Sequence, residues 1–156
     1  MLIADEPVSS LDASAQAAIV TLLGELRDET GIGILFISHD LGVVRQIAQK
    51  VAVMYLGKIV ESGAIDAVWR DPRHPYTQAL IAAAPVADGT GRLPVGLAGE
   101  VPDPSAPPPG CSFHPRCRMA EAECRALDPP PLVIGGDQVA RCLFALRPAL
   151  AQETDL

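Results

Sequence analysis

The 156-residue sequence predicts an α/β fold: a partial parallel sheet with helices, followed by an irregular Pro/Cys-rich C-terminal extension. Three observations carry this. Two short apolar runs, Met1–Ala4 and Ile32–Ser38, flank a stretch of helical periodicity, which is the pattern of a β-α-β unit with parallel strands. Fourteen of the 15 prolines lie at or beyond Pro72, while both lysines, Lys50 and Lys58, lie before it. All four cysteines fall in the C-terminal third.

Met1–Ala4 is a continuous apolar run of the kind that lies in a sheet covered on both faces. "SSLDASAQAAIVTLLGELRDETG" then offers Ser10 or Asp12 as a helix cap. Ile19, Leu22, Leu23 and Leu26 have the spacing of one helix face, and Gly31 ends it. After the strand Ile32–Ser38, "HDLGVVRQIAQK" predicts a helix burying Leu41, Val44 and Ile47. "VAVMYL" and "IVES" flank Gly57-Lys58 as a hairpin, because glycine supplies the backbone freedom of a tight turn. A short helix carrying Ile65, Val68 and Trp69 follows, "DPRHP" breaks it, and helix resumes over 76–84. Residues 85–110 have the proline content of an extended linker. The domains expected are therefore 1–71 and 72–156, the second with the linker 85–110 and a four-cysteine region at 111–142.

Composition narrows the function classes. Twelve Lys and Arg against 19 Asp and Glu give a net charge of −7, the wrong sign for a nucleic-acid binder. No run approaches the roughly 18 apolar residues of a spanning helix, and the N-terminus has no secretory pattern. A cytosolic chain with reduced cysteines is expected.

Asp5-Glu6 and Ser38-His39-Asp40 stand at the carboxyl ends of neighbouring strands, where α/β sheets gather their chemistry. Carboxylates there can hold Mg²⁺ and orient a water, and a histidine can meet a phosphate oxygen. The plainer alternative is that Asp5 and Glu6 end a strand and His39 caps a helix.

Read together, "LIADEP", "SSLD" and "LFISHD" resemble the Walker B strand, the D-loop and the switch-histidine loop of ABC-type ATPases, in the family's order and spacing. The resemblance implies the C-terminal half of an ABC ATPase domain over residues 1–71. It implies Asp5 as an Mg²⁺ ligand, Glu6 as the catalytic base or water-orienting carboxylate and His39 as a γ-phosphate contact. Ser10 and Asp12 would lie in the loop at the dimer interface. "EPVSSLDASAQ", "FISHDLGVVRQIAQKVAVMYLGKIVESG" and "DPRHPYTQAL" resemble the ATP-binding subunits of oligopeptide and dipeptide importers, the F-type more than the D-type. From this follow ATP with Mg²⁺, a second ATP-binding subunit, integral permease subunits, and a peripheral place at the cytoplasmic face of the inner membrane, without nucleic acid or direct lipid insertion. The glycine loop GxxxxGK[ST], the Q-loop and LSGGQ are not in the 156 residues: Gly57-Lys58 is followed by Ile59 and has Ala52 five residues earlier, and "VIGGDQ" reads as a turn. The chain thus reads as a fragment, expected to be inactive alone.

Cys111, Cys117, Cys124 and Cys142 are separated by five, six and seventeen residues. A zinc site usually shows a shorter C-x-x-C gap, a disulfide framework conflicts with the cytosol, and four thiolates can hold an iron–sulfur cluster. "GEVPDPSAPPPGCSFHPRC" with Cys124 and "VARC" resembles the C-terminal extension of the same importer subunits, which implies a [4Fe–4S] cluster on these four cysteines, with Zn²⁺ as the alternative metal. The competing function is a non-catalytic metal-binding interaction module with an inactive ATPase remnant.

Overall fold

A computed structural model describes residues 1–84 and 99–146. The chain divides into two compact units, one over Met1–Gln49 and one holding Lys50–Ala83 with the described residues from 99 onward.

In the first unit, β1 (Leu2–Asp5) pairs in parallel with β2 (Ile34–Ile37), Leu2 opposite Ile34 and Asp5 opposite Ile37. Between them runs α1 (Ala13–Thr30), started by Asp12, whose carboxylate accepts the N–H groups of Ser14 and Ala15, and stopped by Gly31 in the left-handed conformation at φ 67°. Helix α2 (Leu41–Ile47) is capped the same way by Asp40, not by His39. The two helices pack through Val20, Val43 and Ile47, with Val8 and the strand residue Phe36.

Two expectations are corrected here. The apolar strands are covered on one face only: Ile3 is 59% and Leu35 49% exposed, because both helices' apolar residues meet the side that carries Phe36. Of the predicted α1 face, Ile19 and Leu23 pack against this core, while Leu22 and Leu26 are exposed. The inward stripe of α1 is Gln16, Val20, Leu23 and Arg27, and both polar ends of it find α2. The Gln16 amide donates to Asp40 Oδ2 at 3.4 Å, and Arg27 Nη1 donates to the Ile47 carbonyl at 3.0 Å. In α2 the buried residues are Val43, Val44 and Ile47, with Val43 in place of Leu41.

The second unit is built on an antiparallel sheet. Strands β3 (Lys50–Tyr55) and β4 (Lys58–Ala64) form the expected hairpin, with both turn residues at positive φ, Leu56 at 44° and Gly57 at 77°. Helix α3 (Ile65–Arg70) buries Ile65 and Val68, and α4 spans Pro75–Ala83. Residues 99–110 form no helix or strand, and the rest of the expected linker, 85–98, lies outside the described residues. A 3₁₀ turn (His114–Arg116) and α5 (Ala122–Ala126) lead to β5 (Leu132–Gly135) and β6 (Gln138–Ala140), so that "VIGGDQ" is the turn of a second hairpin. The spatial order is β3-β4-β6-β5, with Glu61 opposite Ala140. The hairpin β3–β4, read from sequence with residues 1–71, thus pairs with a strand far along the chain, and the two units meet in sequence at Gln49/Lys50.

Candidate functional site

The parallel register puts the ends of β1 and β2 side by side, so the residues that follow them, Glu6 and His39, meet at one rim. Glu6 Oε1 accepts from the His39 backbone N–H at 3.1 Å and lies 2.8 Å from His39 Nδ1. Its other oxygen, Oε2, is sealed from solvent and has no hydrogen-bond partner. The Glu6 backbone has φ 47°, a left-handed conformation rare for a side chain of this size. That conformation is held by Glu6 N donating to the Ile37 carbonyl at 2.9 Å and by the Ser9 hydroxyl donating to the Glu6 carbonyl at 3.1 Å. Strain of this kind persists where surrounding bonds over-determine it, often at functional sites.

Asp5 is exposed at the end of β1, beside Glu6. Ser10 is exposed in the turn before α1, and Asp12 Oδ1 is committed to the helix cap. Of the five residues singled out at this rim, the fold brings Glu6 and His39 into direct contact.

The Glu6 hydrogen bond, and then the Glu6 charge, raise the His39 pKa above the ordinary 6.5, with Asp40 adding a smaller push. A raised histidine pKa means the folded state binds the proton more tightly. The contribution to stability is therefore full below about pH 6.5 and is lost as pH rises through the folded-state value. The imidazole is 80% exposed, so screening keeps the effect small. Following the His39 ring by NMR through pH 5–9 should show a midpoint above 6.5 that falls back in Glu6→Gln; an unchanged midpoint in the variant would refute the pairing.

The four cysteines line a single cavity with His74, Phe113 and His114. All four are free thiols. Burial is the main cause that raises the thiol pKa of Cys111, Cys117 and Cys142, Cys117 to about 11; nearby backbone N–H groups oppose it and the neighbouring thiols add to it. Gly110, at φ 69°, is required at the mouth of this turn, because a Cβ there would stand 2.5 Å from the Cys124 carbonyl oxygen. Among the described residues, however, no group of three or more His, Cys, Asp or Glu side chains is placed to hold a metal ion. The four thiols expected as metal ligands from sequence share a cavity among the described residues. The donor set matches a cluster in kind, since the irons of a cluster stand between its thiolates and hold them apart.

One buried polar centre had no forecast. Glu61, in β4, is 1% exposed and accepts from Arg73 N at 2.8 Å, His74 N at 2.9 Å and Gln138 Nε2 at 2.9 Å. It caps the start of the His74-Pro75-Tyr76 segment. His74 Nδ1 in turn accepts from the Tyr76 N–H at 3.1 Å, which places any ring proton on Nε2, and burial lowers its pKa to about 4. The only sequence signal was a carboxylate inside an otherwise apolar strand.

Residues 60–124 match a family model described as the C-terminal region of oligopeptide/dipeptide transporters, which begins in β4 and contains the Glu61-capped segment. The chain is 56% identical over 152 residues to a probable peptide ABC transporter ATP-binding protein, y4tS, of Sinorhizobium fredii. The chain is similar to members of this family over almost all of its own length. The match covers 97% of this chain and 43% of that protein. It is also 48% identical over 141 residues to the dipeptide transport ATP-binding protein DppF of Escherichia coli, covering 90% of the chain and 42% of DppF. A putative peptide import ATP-binding protein of Brucella abortus is 46% identical over 144 residues, with 91% and 42% covered. The chain thus spans less than half the length of these relatives, and its small parallel sheet with helices is consistent with the C-terminal part of an ABC ATPase domain. Among the described residues, no helix is long and apolar enough to cross a membrane.

Proposed function

We propose that the chain supplies the hydrolytic rim of an ATP-binding subunit in a peptide-importing ABC transporter. The observation that supports this most is the Glu6–His39 contact at adjoining strand ends, with Glu6 Oε2 shielded and unpaired. The Glu6 carboxylate can take a proton from a water as that water attacks a γ-phosphorus and ADP departs. His39 holds Oε1 of that carboxylate through its backbone N–H and ring, and the exposed imidazole can approach a phosphate oxygen. Asp5, exposed beside them, would hold Mg²⁺, which when bound offsets phosphate charge. Ser10 and Asp12 would sit in the loop facing a second ATP-binding subunit. Phosphate cradling requires a glycine loop that the 156 residues do not contain, so activity requires further protein. Permease subunits as partners, a peptide as cargo and a peripheral position at the cytoplasmic face of the inner membrane complete the reading.

The test joins this chain to an upstream half carrying the glycine loop, assembled with its partner subunits. Glu6→Gln should lower ATP turnover by roughly 10²–10⁴-fold, the span of a lost general base, while nucleotide binding persists. Turnover close to the unsubstituted assembly would remove Glu6 from the chemistry. The 156-residue chain alone should show no Mg-dependent turnover.

A second reading concerns the thiols. Four cysteines on one cavity, in a segment whose own core is small, favour a [4Fe–4S] cluster on Cys111, Cys117, Cys124 and Cys142, which would supply folding energy to the extension. Anaerobic purification should then give about four irons per chain with visible absorbance; an iron-free, colourless and stably folded chain would end this reading.

A further inference from the structure

A second cavity adjoins the thiol cavity and is lined by Tyr55 and Lys58 of the β3–β4 hairpin, Ser112, Asp128 and Arg141. Two of these side chains present a problem. Tyr55 is 4% and Ser112 7% exposed, and Tyr55 Oη and Ser112 Oγ are both sealed from solvent and without a hydrogen-bond partner. Native interiors pair nearly all such groups, with protein or with ordered water. The charged residues at the same cavity are already engaged: Lys58 Nζ lies 2.7 Å from Asp128 Oδ2, and Arg141 Nη1 donates to the Pro129 carbonyl at 3.3 Å.

The size of the space decides what can answer the two hydroxyls. The cavity, of about 10 Å³, is at the lower limit for a single water and far smaller than a phosphate, sugar or nucleotide requires. Water also suits the chemistry. It offers two donors and two acceptors, so it pairs with both hydroxyls whichever way each O–H points.

We propose that this cavity binds one structural water, held between Tyr55 Oη and Ser112 Oγ. The water ties strand β3 to the residue directly after Cys111, whose backbone N–H donates to the Cys124 carbonyl at 2.9 Å. It thereby anchors the stretch that supplies two of the four thiols, whether or not these hold a cluster.

Tyr55→Phe and Ser112→Ala test this in the 156-residue chain, since each removes a hydroxyl and keeps the packing nearly intact. With the water in place, each variant takes away one of its partners, and the urea midpoint falls in both. The double variant then loses less than the sum, because both act through one molecule. In a dry cavity the substitutions relieve an unpaired buried group instead, so midpoints that hold or rise overturn the proposal. A crystal structure of the unsubstituted chain gives an independent reading: an ordered water within hydrogen-bond distance of both oxygens supports it, and empty density between them refutes it.

Discussion

Replacing Glu61 by alanine should destabilise the second unit by about 3–5 kcal/mol, since each buried donor left without an acceptor costs roughly 1–3 kcal/mol. Three donors converge on this one carboxylate, from the backbone of Arg73, the backbone of His74 and the side chain of Gln138. Gln138 Nε2 keeps its second bond, to the Asp71 carbonyl at 3.0 Å, so its loss is partial; the His74 N–H, in a residue only 1% exposed, is cut off from water. Glu61→Gln should fall between the two, because its amide keeps one accepting oxygen but turns N–H bonds toward other N–H groups. Urea denaturation of both variants gives the order. If Glu61→Ala lies within about 0.5 kcal/mol of the unsubstituted chain, as an ordinary surface change would, the carboxylate is not the tie between β4, the His74 segment and β6.

The other large effect is expected from Phe113→Ala, at about 3–5 kcal/mol, the usual range for emptying a buried aromatic site. Phe113 is 2% exposed and stands edge-on to Tyr55, with ring centroids 5.2 Å apart at 89°, an arrangement that favours the positive ring edge against the negative face. It also meets Tyr76 at 5.4 Å and His74 at 5.7 Å. Because Phe113 lies between Cys111 and Cys117 in sequence and lines the thiol cavity, its loss should speed modification of the thiols by a maleimide as well as lower the urea midpoint. Phe113→Leu should recover most of the stability. Stability and thiol reactivity that stay unchanged in Phe113→Ala would mean that the ring cluster does not support the cysteine segment.

Acid adds a related effect. The buried, uncharged His74 has its pKa lowered to about 4, so it contributes stability above the ordinary 6.5 that is lost progressively as pH falls toward 4, when the unfolded chain takes up a proton the folded one resists. This runs opposite in sign to His39, whose pairing favours the folded chain at low pH.

Local chemistry made the first unit's site legible in advance. Apolar runs of the right length followed by Asp5-Glu6 and by His39 can be read as strand ends without any coordinates, and parallel pairing of neighbouring strands brings such ends together by register alone. The helix caps Asp12 and Asp40, the stop at Gly31 and the turn at Gly57 are likewise decided within a few residues. Helix faces were less legible. The apolar pattern in α1 pointed to Ile19, Leu22, Leu23 and Leu26, of which Ile19 and Leu23 meet the core while Leu22 and Leu26 stay exposed; the contacts of Gln16 and Arg27 with α2 carry no hydrophobic signal.

By itself, then, the sequence determined the strand-helix-strand order, the caps and turns, the acidic and histidine residues at the rim, and the family they resemble, because each depends on bonds or spacings within one short segment. Only the tertiary structure decided that the β3–β4 hairpin joins β6, that Glu61 ties together residues 12 and 77 positions away, and that four cysteines spread over 32 residues share one cavity. Those contacts come from chain segments whose separation leaves no periodic trace, and a buried carboxylate becomes favourable only once all of its distant donors are in place.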